Sequence, residues 1–266
     1  MIVDAHCHIW PDHIAAKALG GNIPDMSIVG DGTAAGLAVA QADGGIDRSV
    51  CLAVANTPKQ VATANQFVGG LDRARFIPFG TIHTGLPPDE NVDHLRANAV
   101  QGVKIHPVFQ GIPLDDPKLY DILDVLAGEL PVIIHVGDGG GSDGSTCTPA
   151  MLRRIVDMFP NLDVIACHLG GYHKVDEAAE SVIGADVMID TSWPPSVAEL
   201  GADTVRDIIR RHGVERVVFA SDWPTASPAA EVKAIRELGL DDDETAAILG
   251  GNLARLLGLD DEAANA

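Results

Sequence analysis

The chain has 266 residues, 46% of them hydrophobic, and carries 38 acidic against 18 basic side chains for a formal net charge of −20. That length suits one α/β barrel of about 250 residues or two small domains, and the charge argues against nucleic-acid phosphate and anionic membrane as partners. No apolar run reaches transmembrane length and residues 1–10 lack the basic and apolar regions of a signal peptide, so a cytoplasmic protein acting on a small molecule is expected.

In chain order, apolar and β-branched runs near residues 2–9, 47–55, 75–82, 100–106, 131–136, 162–168, 185–191 and 216–221 predict strands. Helical stretches separate them. Thr33–Ala42 is alanine-rich, Pro58–Leu71 opens on proline, and Asn91–Ala99 is short and amphipathic. Asp116 and Pro117 start a helix through Leu126, with aspartate as cap and proline in the first turn. Thr148 and Pro149 do the same for 148–158, and Lys174–Ile183, Ser196–Arg211 and Pro228–Leu238 follow. Asp241–Leu249 and Asn252–Leu257 end the chain as an extra helix pair. After a longer first unit, strand starts recur roughly every 23 to 31 residues, the cadence of βα modules. Eight modules predict an α/β fold of the closed (β/α)₈ TIM-barrel type, a single domain over 1–266 with C-terminal extra helices. An open doubly wound sheet is the rival, but no glycine-rich dinucleotide or Walker fingerprint follows a strand. Residues 10–46 are expected as a decorated loop over the barrel mouth.

Cys7, Cys51, Cys147 and Cys167 show no Cys-x-x-Cys pairing, which argues against a zinc knuckle or a disulfide framework. Three sit in strand-like runs as small hydrophobes; Cys147, in a glycine-rich loop, is the one expected to be exposed.

The chemistry gathers at the strand ends. His6 and His8 lie two apart on the first strand, so both imidazoles project to one side, about 7 Å apart along it and close enough to share a metal ion. Lys104 and His106 end the fourth strand, His135 the fifth, His168 the sixth, Asp190 the seventh and Asp222 the eighth. C-terminal strand ends carry the active sites of such barrels. An ionisable group ending an apolar run such as Val132-Ile133-Ile134-His135 is costly unless paired or metal-bound. Three or four neutral imidazoles plus a carboxylate suit zinc, with manganese, iron or cobalt as alternatives. A catalytic zinc keeps a position for water and lowers its pKa to about 7. Asp222 can hold that water, ligate the metal and serve as general base. His168 can polarise the water or a substrate carbonyl, or bind a second ion.

Around this set, His106 shares a strand face with Lys104 and is read as pocket-lining, with capping as the alternative. Gln110 is read as a surface residue, with substrate contact as the alternative. Trp10, Trp193 and Trp223 each follow a strand at the catalytic end and predict an aromatic-binding wall. Asp190 is read as a helix cap in preference to a partner for a histidine. Residues 137–145, with five glycines in nine, are flexible enough for a lid. His13, His83, His94, His173 and His212 are read as loop or surface residues.

As an ordered set, Asp4-Ala5-His6-Cys7-His8, Gly102-Val103-Lys104-Ile105-His106-Pro107, Ile134-His135-Val136-Gly137, Cys167-His168-Leu169-Gly170-Gly171, Ser221-Asp222-Trp223-Pro224 and the closing Gly251–Leu257 span essentially the whole chain. The set resembles the amidohydrolase superfamily, specifically the amidohydrolase-related branch that includes aminocarboxymuconate-semialdehyde decarboxylase. The resemblance implies that His6, His8, His135 and Asp222 bind the metal and that His168 is the catalytic histidine of the sixth strand. Lys104 departs from those decarboxylases. In binuclear members a carboxylated lysine at this strand bridges two metals, with the fifth- and sixth-strand histidines on the second ion. The alternative is an ammonium that neutralises the acidic mouth or binds a substrate carboxylate. One divalent metal per chain, zinc, is the expectation, with two as the alternative; a homodimer is the assembly the resemblance admits.

The expected activity is hydrolysis of a small amide, lactone or ester by a metal-activated water with Asp222 as base. The alternative is a carboxy-lyase, decarboxylating a small organic acid non-oxidatively with the same residues. No arginine ends a strand to take a substrate carboxylate, which favours hydrolysis. A non-catalytic metal- or metabolite-binding barrel is disfavoured by the presence of Asp222. A metal-free isomerase using His and Lys is the remaining rival.

Overall fold

The structure, a computed structural model, describes residues 1–20, 27–139 and 144–259. Strands β1 (Val3–His8), β2 (Arg48–Leu52), β3 (Phe76–Thr81), β4 (Gly102–Ile105), β5 (Val132–Ile134), β6 (Val164–Ala166), β7 (Met188–Asp190) and β8 (Val217–Val218) pair in parallel in sequence order. The ring closes between β1 and the segment after β8. Ala5 N–H donates to Phe219 O at 2.9 Å, Asp222 N–H to His6 O at 2.9 Å, and His8 N–H to Trp223 O at 2.7 Å. This is the (β/α)₈ barrel the module cadence predicts.

The helices are α1 (Asp12–Gly20), α2 (Ala34–Gly44), α3 (Val61–Gly69), α4 (Pro88–Ala97), α5 (Pro107–Gln110), α6 (Pro117–Leu126), α7 (Pro149–Met158), α8 (Val175–Ser181), α9 (Ala202–His212), α10 (Pro228–Arg236), α11 (Asp242–Ala246) and α12 (Asn252–Leu257). Their starts follow the caps in the sequence. The side chains of Thr33, Asp116, Thr148 and Ser227 accept the N–H of Gly36, Lys118, Met151 and Ala230, and proline occupies the first turn of α6, α7 and α10. Asp241 and Glu244 form a reciprocal capping box at α11. The helix expected over Ser196–Arg211 is broken at Gly201, whose φ of 80° ends a 3-10 turn (Val197–Leu200) before α9 begins. The run Asp241–Leu249 passes from α11 through a π turn at Ala247–Gly251 into α12. The decorated loop at 10–46 contains α1 and α2.

Side-chain alternation divides the core into two layers. Ile133 and Ile165 join Val50, Leu52, Ile77, Phe79 and Val218 in an inner cluster that reaches Leu253 and Ala254 of α12. Their neighbours Val132, Ile134, Val164 and Ala166 join Leu119, Ile122, Leu152, Ile155, Val205 and Ile208 of the surrounding helices. The C-terminal strand ends are shorter than expected for a physical reason. His168, Leu169 and Asp222 take φ of 60°, 53° and 62°, a left-handed conformation incompatible with the ladder. The chain therefore leaves the sheet at the residues that carry the chemistry.

All four cysteines are free and buried. Cys147 is corrected from exposed to interior: it is 0% accessible and its thiol donates to Gly137 O at 3.2 Å. Of the expected lid, residues 140–143 lie outside the described residues. Among the described residues no helix is long and apolar enough to cross a membrane.

Candidate active site

Asp190, fully buried at the end of β7, organises the base of the site. Its Oδ2 stands 2.9 Å from His6 Nδ1, and its Oδ1 accepts from His168 N–H at 2.8 Å, Ser192 N–H at 3.1 Å and Ser192 Oγ–H at 2.6 Å. A carboxylate accepts, so His6 carries its proton on Nδ1 and turns the Nε2 lone pair to the barrel mouth. The helix-cap reading of Asp190 is corrected accordingly: both oxygens are used to hold two histidines.

At the mouth three donor atoms converge. His6 Nε2 lies 3.1 Å from His8 Nε2 and 3.4 Å from Asp222 Oδ1, and His8 Nε2 lies 3.6 Å from the same oxygen. Ligands bound about 2.0–2.1 Å from a tetrahedral zinc stand about 3.3–3.4 Å apart, so this triad fits a divalent cation. Burial pushes His6 and His8 well below the ordinary imidazole range, the Lys104 charge adding to the effect on His6 and the His6 charge to that on His8. Both are thereby kept in the neutral form that ligates. Burial pushes the Asp222 carboxyl well above its usual range, with Lys104 acting in the opposite sense. Lys104 is fully buried, its Nζ 3.3 Å from His6 Nε2 and 3.2 Å from Cys167 Sγ. His6, Cys167 and His168 form a second trio whose donor atoms lie within 4.8 Å of one another.

His135 stands outside both trios and joins the site through His168. Ser192 Oγ directs its proton to Asp190, so it accepts from His168 Nδ1 at 2.9 Å; Ser192 O lies 3.2 Å from the same nitrogen. His168 Nε2 is then a lone pair. His135 Nε2 lies 2.8 Å from Asp138 O and must donate to it, which leaves His135 Nδ1 as a lone pair 3.0 Å from His168 Nε2. Two facing lone pairs require a shared proton or a cation. Burial pushes His135 down to about 3 and His168 well below its usual range, so both rings rest neutral.

His106 lies between Phe109 and His135, with ring centroids 4.0 Å and 4.1 Å away. Gln110 is corrected from surface to interior: it is 4% exposed and ties the His106 backbone to Ile82 O and Thr81 Oγ. Trp10 stacks on His8 at 6.2 Å. Trp193 packs on Tyr172 at 5.0 Å and lines a cavity of about 460 Å³ with His173, Lys174, Val175, Asp176 and Glu177. Trp223 is 2% exposed and lies in an apolar cluster with Leu37, Cys51 and Phe76; a Cβ on Gly30 would meet its indole at 2.4 Å. Its position is interior, between the first loop and β2. His212 is also interior, with Nδ1 accepting from Gly184 N–H and Nε2 donating to Val187 O.

Ser192, Tyr172, Cys167 and Asp138 belong to the site, and the sequence alone does not mark them as site residues. Ser192 lies two residues after Asp190 beyond β7, a spacing that could have marked it. Asp138 acts through its backbone carbonyl, which no side-chain pattern reveals.

A sequence profile of the amidohydrolase family matches residues 3–259. No curated protein matches the sequence. Among solved structures, 5-carboxyvanillate decarboxylase from Sphingomonas paucimobilis superposes with a TM-score of 0.73 at 17% identity, over 96% of this chain and 98% of its own. The enzyme of the same name from Novosphingobium aromaticivorans, with bound manganese and 3-methoxy-4-hydroxy-5-nitrobenzoic acid, gives 0.73 at 15% identity over 97% of each chain. The 2,6-dihydroxybenzoate decarboxylase from Rhizobium gives 0.71 at 16% identity, over 97% of this chain and 99% of its own. At these identities the likeness is one of fold.

Proposed function

The chain belongs to the amidohydrolase family, and from that premise we propose that it is a metal-dependent carboxy-lyase that decarboxylates a small organic acid without oxidation. The observation that carries the reading is the convergence of His6 Nε2, His8 Nε2 and Asp222 Oδ1, in a barrel whose structural likenesses include three named decarboxylases. His6, His8 and Asp222 would hold the ion, with His135 as the fourth ligand expected from the family resemblance. Zinc suits the donor set, and manganese is the ion in one structural likeness. When bound, the ion supplies positive charge that stabilises the electron pair left on carbon as carbon dioxide departs.

The chain's own residues do the rest. The carbon–carboxylate bond breaks, the pair stays on carbon, and a proton completes the product. His168 would relay that proton: its bare Nε2, opposite the Ser192 anchor, takes one from solvent and passes it to the carbon. Burial holds His168 well below the usual imidazole range, so a proton taken up on Nε2 is readily given on. Ser192, itself fixed by Asp190, keeps its ring oriented throughout. Trp10 and Trp193 supply apolar walls near the mouth, and Lys104 is a buried cation for an anionic substrate.

Hydrolysis of a lactone or amide is the second reading, with Asp222 taking the proton from water; the lack of an arginine at any strand end favours it. The test is to incubate zinc- or manganese-loaded protein with panels of aromatic acids and of lactones and amides, measuring carbon dioxide and ring opening. Carbon dioxide release that a chelator abolishes, and that falls about 10²- to 10⁴-fold in Asp222→Asn, is expected. Ring opening alone, or turnover indifferent to the chelator, overturns the proposal.

A further inference from the structure

Two triangles of donor atoms share His6. On one side stand His8 Nε2 and Asp222 Oδ1, 3.1 Å and 3.4 Å from His6 Nε2. On the other stand Cys167 and His168, each with one donor atom within 4.8 Å of the other's and of one in His6. Neighbours on a strand point to opposite faces, but His168 follows the end of β6 with φ of 60°, and that left-handed turn brings it to the same side as Cys167. The second triangle is buried throughout, with His6 1%, Cys167 0% and His168 3% exposed. Each of its rings has one lone pair to give: Nδ1 donates to Asp190 in His6 and to Ser192 in His168, so Nε2 is bare in both. Cys167 Sγ accepts from Lys104 Nζ at 3.2 Å, so a positive group already stands beside the sulfur. Burial nonetheless holds the thiol well above its usual range, and it keeps its proton until something displaces it.

We infer that His6, Cys167 and His168 form a second metal seat, one that takes a soft cation such as cadmium and competes with the first for the single lone pair of His6. A metal displaces the thiol proton: the S–H bond breaks, the proton passes to solvent, the sulfur pair binds the ion, and no electron is transferred. Lys104 then donates to a thiolate, a charge-assisted bond. Softness sorts the two triangles, since the first ends in a carboxylate oxygen and the second in a thiolate sulfur. Size sorts them as well. Zinc sets bound sulfur and nitrogen about 3.6 Å apart, so a triangle up to 4.8 Å across suits a larger ion. His135 has no part in the seat, because its nitrogens lie outside both triangles. Bound there, a soft ion occupies His168 Nε2 and draws His6 away from His8 and Asp222, so it blocks the mouth whatever reaction the barrel performs.

The experiment titrates cadmium into the full chain, metal-free after chelator dialysis and, in parallel, loaded with manganese. Absorbance reads the ultraviolet thiolate-to-cadmium charge-transfer band, and electron paramagnetic resonance reads free manganese. In wild type the band should reach its plateau at one equivalent of cadmium. Cys167→Ser should lose the band while manganese affinity stays within about threefold, since the first seat has no sulfur. Asp222→Asn, which spoils the first seat, should keep the band and lower manganese affinity by at least about tenfold. In manganese-loaded wild type, cadmium should release the manganese as the band grows. Cys167→Ala serves if the serine variant does not fold. No band in wild type, a band that survives removal of the Cys167 sulfur, or a band lost in Asp222→Asn overturns the second seat. A band that grows while manganese stays bound overturns the sharing of His6.

Discussion

At the residue scale, the proton position on His6 decides what the mouth can bind. Asp190 accepts from Nδ1 and so leaves Nε2 bare beside His8 and Asp222. In Asp190→Asn the amide would donate to Nδ1 and move the ring proton to Nε2, where it faces the other ligands. A tenfold to hundredfold loss of metal affinity, the usual cost of removing such a support, is expected, measured by competition with a chromogenic chelator; unchanged affinity would contradict the assignment. The sequence shows His6, His8 and Asp222 plainly, because strand alternation and strand ends announce them. It does not separate a capping aspartate from one that buttresses a histidine, since both sit at the end of an apolar run. Only the distances assign Asp190.

At the scale of elements, the site depends on how loops extend the barrel. Beyond β5 and β6 the backbones stay joined, with Tyr172 N–H donating to Val136 O at 2.9 Å and Asp138 N–H to Tyr172 O at 3.0 Å. Gly137, between them, has φ of 96°, and a Cβ there would lie 2.3 Å from Tyr172 O. Gly137→Ala should therefore lower stability by about 1–3 kcal/mol, read as a lower urea midpoint, and should pull Asp138 O away from His135. A wild-type midpoint and metal content would contradict this account. Elements with a proline in the first turn and a capping side chain are legible in sequence, as α6, α7 and α10 illustrate. The α5 turn escapes because four residues are too few to show a period. Trp223, predicted for the pocket wall, follows a strand as Trp193 does, and nothing in its local sequence tells that Gly30 packs across it.

At the scale of the molecule, buried imidazoles set the response to acid. Burial lowers His6, His8, His106, His135 and His168, the fourth of them to about 3. Unfolding exposes these rings to an ordinary pKa near 6.5, so the unfolded chain binds more protons as pH falls below that value. Stability is then lost on acidification, by up to about 1.4 kcal/mol per pH unit for each ring. Asp4, raised to about 6, acts oppositely: its stabilising share is present below the unfolded value of 3.8 and is lost as pH rises through about 6. Burial raises Asp222 and Glu231 in the same sense as Asp4. The five histidines outnumber these three carboxyls, so the urea midpoint of the metal-free protein should fall between pH 7 and pH 5. A flat or rising midpoint would refute the balance.

The seam between β1 and the residues after β8 has a bearing on folding. Asp4 waits 217 positions for Ser221, which donates to it at 2.6 Å, and Asp222 meets His6 and His8 only across the same join. In chain order the two histidines precede their carboxylate neighbour by the whole barrel, so the three donor atoms meet only once the eighth unit has joined the first, and contacts of such long sequence separation form late in folding. A chain truncated ahead of Asp222 would therefore keep the paired histidines and lack the third donor atom of the mouth.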